Sequence, residues 1–183
     1  MLRVKAELKR LKPIFETLSC LETGTIRTYH EKHESTRHIS NVIGENGHLK
    51  SIDIEPKSIA ISKDICKNAS NVEWILSSSL DYLQNDDDMY HFVLLDSVNN
   101  ADYIFDEFKN VVKRIHVGGT IMIDDAGVDM NKNEDRTKKQ KGVKVNQFLK
   151  DNNIDYSVVR GGHCTQLLIP ITKKAKQKLE EVL

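Results

Sequence analysis

The sequence predicts an α/β fold: a doubly wound, mostly parallel seven-stranded sheet closed on one side by a C-terminal antiparallel hairpin. Three observations predict it. Short apolar segments and helix-patterned segments alternate five times between Leu18 and Ile123, which implies parallel pairing through right-handed crossovers, with helices on both faces. The run His91 to Leu95 is continuously apolar, as in a strand buried on both faces. Beyond Ile123 the alternation stops, and Ile154 to Val159 and Gln166 to Ile171 flank Gly161-Gly162 as the arms of a hairpin.

In chain order, Val4, Leu8, Leu11, Phe15 and Leu18 recur at spacings of three and four, an amphipathic helix that Pro13 kinks or restarts. The stretch Leu21 to Arg27, Leu-Glu-Thr-Gly-Thr-Ile-Arg, forms a strand end, and Gly24 lets the backbone turn there and approach a ligand. Ser35 or Thr36 caps a helix that runs to about Ile43 and stops at Gly44 and Asn46-Gly47. His48 to Ile54 is the second strand, and Pro56 starts a helix ending near Asn68. Val72 to Leu76 is the third strand, and Leu80 to Leu83 a short helix before the acidic turn Asn85 to Asp88. His91 to Leu95 is the fourth strand and Tyr103 to Ile115 a helix; Gly118-Gly119 then turn the chain into a fifth strand, Thr120 to Ile123. Met130 to Lys144 is polar and basic, Val143 to Leu149 is a helix, and Lys173 to Leu183 is a final charged helix.

The 183 residues suit one domain, with an N-terminal helix over 1–18, a core over 19–127 and a further segment over 128–183. Lys plus Arg and Asp plus Glu each number 27, so no overall positive field favours nucleic acid or an anionic membrane as partner. Cys20, Cys66 and Cys164 show no CxxC spacing, which argues against a zinc site or disulfide framework and fits free thiols in a reducing cytoplasm. The N-terminus carries charge throughout and lacks the apolar core of a signal peptide.

In a doubly wound sheet, ligands sit outside the carboxyl ends of the strands. The residues there are Glu22 and Gly24, then Asp53, Ser77 to Ser79, Asp96, and Asp124 with Asp125. Each alone could be a turn former or a helix cap; five strands delivering an acid or a hydroxyl to one rim is a pattern. Asp53 is placed to accept hydrogen bonds from two vicinal ribose hydroxyls, which implies a cofactor containing a nucleoside. A pyrophosphate needs a GxGxxG loop, and Gly24 is the one glycine between Leu18 and Ile43, so NAD and FAD fit poorly.

LETGTIR, SIDIEP, VEWILSSSLDYL, FVLLDS and GGTIMIDDAG, in that order over Leu18 to Gly127, together resemble the class I S-adenosylmethionine-dependent methyltransferases. The similarity is strongest to the small metal-dependent O-methyltransferases such as catechol O-methyltransferase. The resemblance implies that Glu22, Gly24 and Thr25 hold the methionine part of the cofactor. Ser35 would bind its carboxylate at a helix N-terminus, Asp53 its ribose, and Ser78, Ser79 and Leu80 its adenine. It also implies a divalent metal, Mg²⁺ or similar, on Asp96, Asp124 and Asp125, with Asp96 serving catalysis through it. Such an ion would hold substrate oxygens, lower a hydroxyl pKa and aim it at the methyl group. The family commonly has GxGxG in the first loop and an aromatic or histidine after the fourth-strand acid, whereas this chain reads Gly24-Thr25-Ile26 and Ser97-Val98.

The expected activity is therefore methyl transfer to an oxygen of a small molecule; the acceptor, and the choice between monomer and homodimer, stay open. A non-catalytic adenosyl-binding module and a sugar- or nucleotide-modifying enzyme on the same sheet are the alternatives. His163 as a base, His30 with His33 as metal ligands, and Lys138 to Lys144 as an acidic-substrate clamp are weighed against structural or solvated roles, and the latter are preferred. Trp74 is expected in the core.

Overall fold

The computed structural model describes residues 2–30, 34–127, 140–161 and 164–183. His33, Lys138, Gly162 and His163, which entered the sequence analysis, lie outside the described residues. Fourteen elements follow one another: α1 (Leu2–Leu11), β1 (Ser19–Thr23), α2 (Ser35–Ile43), β2 (His48–Asp53), α3 (Pro56–Ile65), β3 (Val72–Leu76), α4 (Ser79–Asn85), β4 (Tyr90–Leu95), α5 (Ala101–Lys113), β5 (Ile115–Ile123), α6 (Val143–Asp151), β6 (Ser157–Gly161), β7 (Cys164–Pro170) and α7 (Lys173–Val182).

The sheet has seven strands in the order β3-β2-β1-β4-β5-β7-β6. The first five are parallel, and β7 joins β5 antiparallel through Ile121↔Ile169 and its neighbours, with β6 antiparallel beyond it. Side chains alternate across each strand. On β4, Phe92 and Leu94 pack with Val4, Leu8, Leu11, Ile39 and Ile43 of α1 and α2, while Val93 and Leu95 pack with Phe108, Val111, Val145 and Leu179 of α5, α6 and α7. The sheet thus separates two apolar layers, which is why its central strands read as unbroken apolar runs.

Two boundaries and the burial of one side chain depart from the expectations for local reasons. Helix α1 stops at Leu11 instead of running to Leu18, because Pro13 cannot donate into the helical ladder; Ile14 and Phe15 close the turn on the Leu11 carbonyl. Strand β5 begins at Ile115, so Gly118-Gly119 lie within it. Gly118 has φ +91°, a Cβ on Gly119 would lie 2.7 Å from the His91 carbonyl oxygen, and the β4–β5 register shifts here; the pair builds a bulge, not an entry turn. Trp74 is only half-buried, packed against the α1–α2 layer and donating to Ser62 Oγ at 3.2 Å, because β3 is an edge strand. Among the described residues no helix is long and apolar enough to cross a membrane.

Candidate functional site

The backbone ladder continues past the last residue of each parallel strand and sets the rim. Ser77 N–H donates to the Asp53 carbonyl (3.1 Å), Gly24 N–H to Ile52 (2.7 Å), Asp96 N–H to Thr23 (2.9 Å) and Asp124 N–H to Leu95 (3.1 Å). Ser77, Asp53, Gly24, Asp96 and Asp124 therefore stand side by side in strand order. Five of the positions singled out from the sequence meet along one edge.

The β1–β2 half is a network of buried polar groups. Glu22 is fully buried, and its Oε2 accepts from Thr36 Oγ1 (2.6 Å) and Ser51 Oγ (2.8 Å). Its Oε1 has no hydrogen-bond partner among the described residues. Burial pushes its pKa up to about 7, against the lowering effect of the Ser35, Thr36 and Ser51 hydroxyls. Thr25 Oγ1 meets Thr36 Oγ1 (3.1 Å) and donates to Ser62 Oγ (2.7 Å), while Thr25 N–H donates to Asp53 Oδ2 (3.1 Å). Asp53 Oδ1 accepts from Glu55 N–H (2.9 Å). Asp53 thus faces the Gly24–Thr25 turn rather than solvent. Ser35 is buried in the first turn of α2, which Glu34 precedes without a side-chain cap.

Gly24 has φ +84°, and a Cβ there would lie 2.5 Å from the Asp96 carbonyl oxygen and 2.9 Å from the Arg27 guanidinium. The close approach at this glycine is made by the protein's own β4 end. Arg27 lies across it, donating to the carbonyls of Asp96 (3.0 Å) and Ser97, with Nε 3.9 Å from Asp53 Oδ2.

The β3–α4 corner is joined to α5. Ser78 caps α4, accepting from Asp81 N–H, and meets the Tyr103 hydroxyl at 3.2 Å. Ser79 Oγ meets the same hydroxyl at 3.0 Å and donates to Glu107. Glu107 is fully buried, also accepts from Thr23 Oγ1 (3.3 Å), and has its pKa pushed up to about 7, mainly by burial. Leu80 is half-buried, while Ile54 and Leu76 expose 64 % and 57 % of their surface at the same rim. Two exposed aliphatic side chains beside polar groups suit a flat apolar ring with polar edges.

On the β4–β5 side, Asp96 (28 % exposed) forms an ion pair with Lys141, whose side chain is 5 % exposed. Its pKa is raised to about 6 by burial and by Asp124, and Lys141 and Arg27 oppose the rise. Asp124 Oδ1 accepts from Gln166 Nε2 of β7 (2.7 Å), and Asp125 has φ +45°. Among the described residues no group of three or more His, Cys, Asp or Glu could hold a metal ion. An Asp96 oxygen held by an ammonium and an Asp124 oxygen held by an amide make a donor set that does not fit the expected dication.

The sequence does not mark Arg27, Ile54, Tyr103, Glu107 or Gln166 as site residues, and Lys141 enters it only within the Lys138 to Lys144 run, for which a solvated role is preferred. Glu107 carried a signal: with Ile104, Phe108 and Val111 it shares the helical stripe that faces the core. Nothing singles out Lys141 from the other lysines of its basic run.

A profile of a family described as O-methyltransferase matches residues 7–171. No curated protein gives a significant match. Among solved structures, the O-methyltransferase TomG from Streptomyces achromogenes, in complex with SAM, superposes with a TM-score of 0.70 at 18% identity, covering 93% of this chain and 79% of that one. The O-methyltransferase from Bacillus cereus, in complex with SAH, gives 0.67 at 17% identity, covering 91% and 79%. Cofactor-bound Rv0187 from MTB gives 0.71 at 15% identity, covering 93% and 80%.

Proposed function

Since the chain belongs to the O-methyltransferase family, we propose that it moves the methyl group of S-adenosylmethionine to an oxygen of a small molecule. The observation that carries this reading is the pair of acids on neighbouring strand ends, Glu22 with one buried oxygen unpartnered among the described residues and Asp53 held beside the Gly24–Thr25 turn. A buried unpartnered carboxylate oxygen is costly unless something donates to it, and the cofactor's ammonium is such a donor. Two of the solved structures named above are described with SAM or SAH bound.

On this reading Glu22, Gly24, Thr25 and Ser35 hold the amino-acid part, Asp53 the ribose, and Ser78, Ser79 and Leu80 the adenine, with Ile54 and Leu76 against its faces. The sulfonium supplies an electrophilic methyl carbon. Asp96 takes the acceptor's hydroxyl proton as the new C–O bond forms, and the electrons of the C–S bond stay on sulfur. The chain's main contribution is to orient the acceptor and keep water out. No step is routed through a divalent metal, because the acids present do not fit one.

Isothermal titration with S-adenosylhomocysteine tests the reading. Wild type binds, and Asp53→Ala binds at least about tenfold more weakly, a loss of about 1.4 kcal/mol. Equal affinities would remove the ribose role, and no binding by wild type would remove the cofactor. A second reading, an adenosyl-binding module without catalysis, is favoured by Arg27, whose guanidinium lies between Asp53 and the Asp96 carbonyl. It predicts binding with no transfer of the methyl group, even slow, to any of a panel of phenols.

A further inference from the structure

We propose that the ammonium of Lys141 is the positive charge of the acceptor side, standing where a divalent metal would otherwise be held and excluding it. The inference deepens the methyl-transfer reading and takes its chemical meaning from it, although its measurement does not depend on it.

Lys141 is brought to this place by backbone geometry. Gly142 N–H donates to the Ala126 carbonyl (3.1 Å) and Ala126 N–H to the Thr165 carbonyl (2.7 Å), so the chain entering α6 is tied to the end of β5 and to β7. A Cβ on Gly142 would lie 2.8 Å from the Ala126 Cβ, so the contact is closed and only glycine permits it. The residue before Gly142 is thereby lowered onto the rim, and its side chain is almost wholly buried against Asp96, with Nζ on Oδ1 and 3.4 Å from the Asp96 carbonyl oxygen. A lysine is rarely this buried unless paired. Asp124, on the next strand end, spends an oxygen on the Gln166 amide, which is itself 3 % exposed. One oxygen each of Asp96 and Asp124 is thus already engaged, by a cation and an amide from within the chain.

The chemical consequence concerns the acceptor. A dication with open positions chelates two vicinal oxygens, whereas an ammonium is a point charge with three donors. Lys141 favours acceptors that present a single reacting oxygen and holds Asp96 in place to meet it.

Mn²⁺ serves as probe, because it takes the same oxygen ligands as Mg²⁺ and its free ion is read by electron paramagnetic resonance. The full chain is titrated as wild type, Lys141→Met, Lys141→Arg and, should the methionine variant fail to fold by circular dichroism, Lys141→Gln. Wild type and Lys141→Arg leave Mn²⁺ free, while the neutral variant binds it at least about tenfold more tightly. Stoichiometric Mn²⁺ binding by wild type would overturn the proposal, and so would a folded neutral variant that ignores the ion. A parallel titration of wild type with S-adenosylhomocysteine separates the two ideas: its failure removes the methyl-transfer reading and leaves the Mn²⁺ result standing.

Discussion

Three residues at the rim show how one chemical group takes different roles from its surroundings. Asp53 is buried and accepts two backbone N–H groups, whereas Glu22 and Glu107 are wholly enclosed and held by hydroxyls alone. Burial favours the neutral acid and outweighs the hydroxyls around both groups and the Lys141 ammonium near Glu107, so both glutamates have pKa values raised to about 7. Gly24 is under a different constraint, since its positive φ and the Asp96 carbonyl each exclude a side chain. Gly24→Ala should therefore destabilise the protein by about 2 kcal/mol or more and abolish S-adenosylhomocysteine binding; urea denaturation reads the first and titration the second. A stable alanine variant would mean that the β1–β4 junction yields more easily than its packing suggests.

Among the elements, legibility followed how local the cause was. Val72 to Leu76 was read to the residue and the helix ending at Ile43 to within one or two, its cap falling on Glu34 instead of Ser35 or Thr36, because a run of β-formers between polar residues and an amphipathic stripe ended by glycine are local signals. The bulge in β5 was not, since its glycines answer to His91 on the neighbouring strand. Neither were Lys141 and Gln166, whose partners are set by how α6 and β7 dock, whereas Asp53 and Asp96 stood out as acids ending apolar runs. The turn Asn85 to Asp88 held another surprise. Asp86 is buried, pairing with Lys50 of β2 (2.9 Å) and accepting from the hydroxyls of Tyr90 (2.6 Å) and Tyr82 (3.2 Å). Lys50→Met leaves that carboxylate without its cation and should cost about 3 kcal/mol. Asn100→Ala, which removes the acceptor for Asp102 and Tyr103 N–H at the start of α5, should cost about 1 kcal/mol. Chemical denaturation distinguishes the two, and a Lys50 variant as mild as the cap variant would show that Asp86 relaxes toward water.

At the scale of the whole molecule the buried glutamates make stability depend on pH. Their folded pKa values lie above the ordinary 4.5, so between about pH 4.5 and 7 these two groups hold more protons in the folded chain than in the unfolded one. Stability then falls as pH rises through that window, by at most about 1.4 kcal/mol per pH unit for each group. Asp96, raised to about 6, adds to the slope, His38 and His91, lowered from 6.5 mainly by burial, oppose it in the upper part of the window, and Asp86, lowered from its ordinary 3.8, acts below it; the two glutamates and Asp96 outweigh the histidines. The melting temperature should drop from pH 5 to pH 7.5, and Glu107→Gln should flatten the drop; an unchanged slope in that variant would assign it elsewhere. The order of the strands has a separate consequence. Everything on the Glu22 and Asp53 side comes from the chain before residue 108, whereas the wall facing it, apart from Asp96, comes from β5, the entry to α6 and the antiparallel pair. Evolution could therefore exchange the late segments, and with them the molecule that is modified, while the donor's berth stayed as it was.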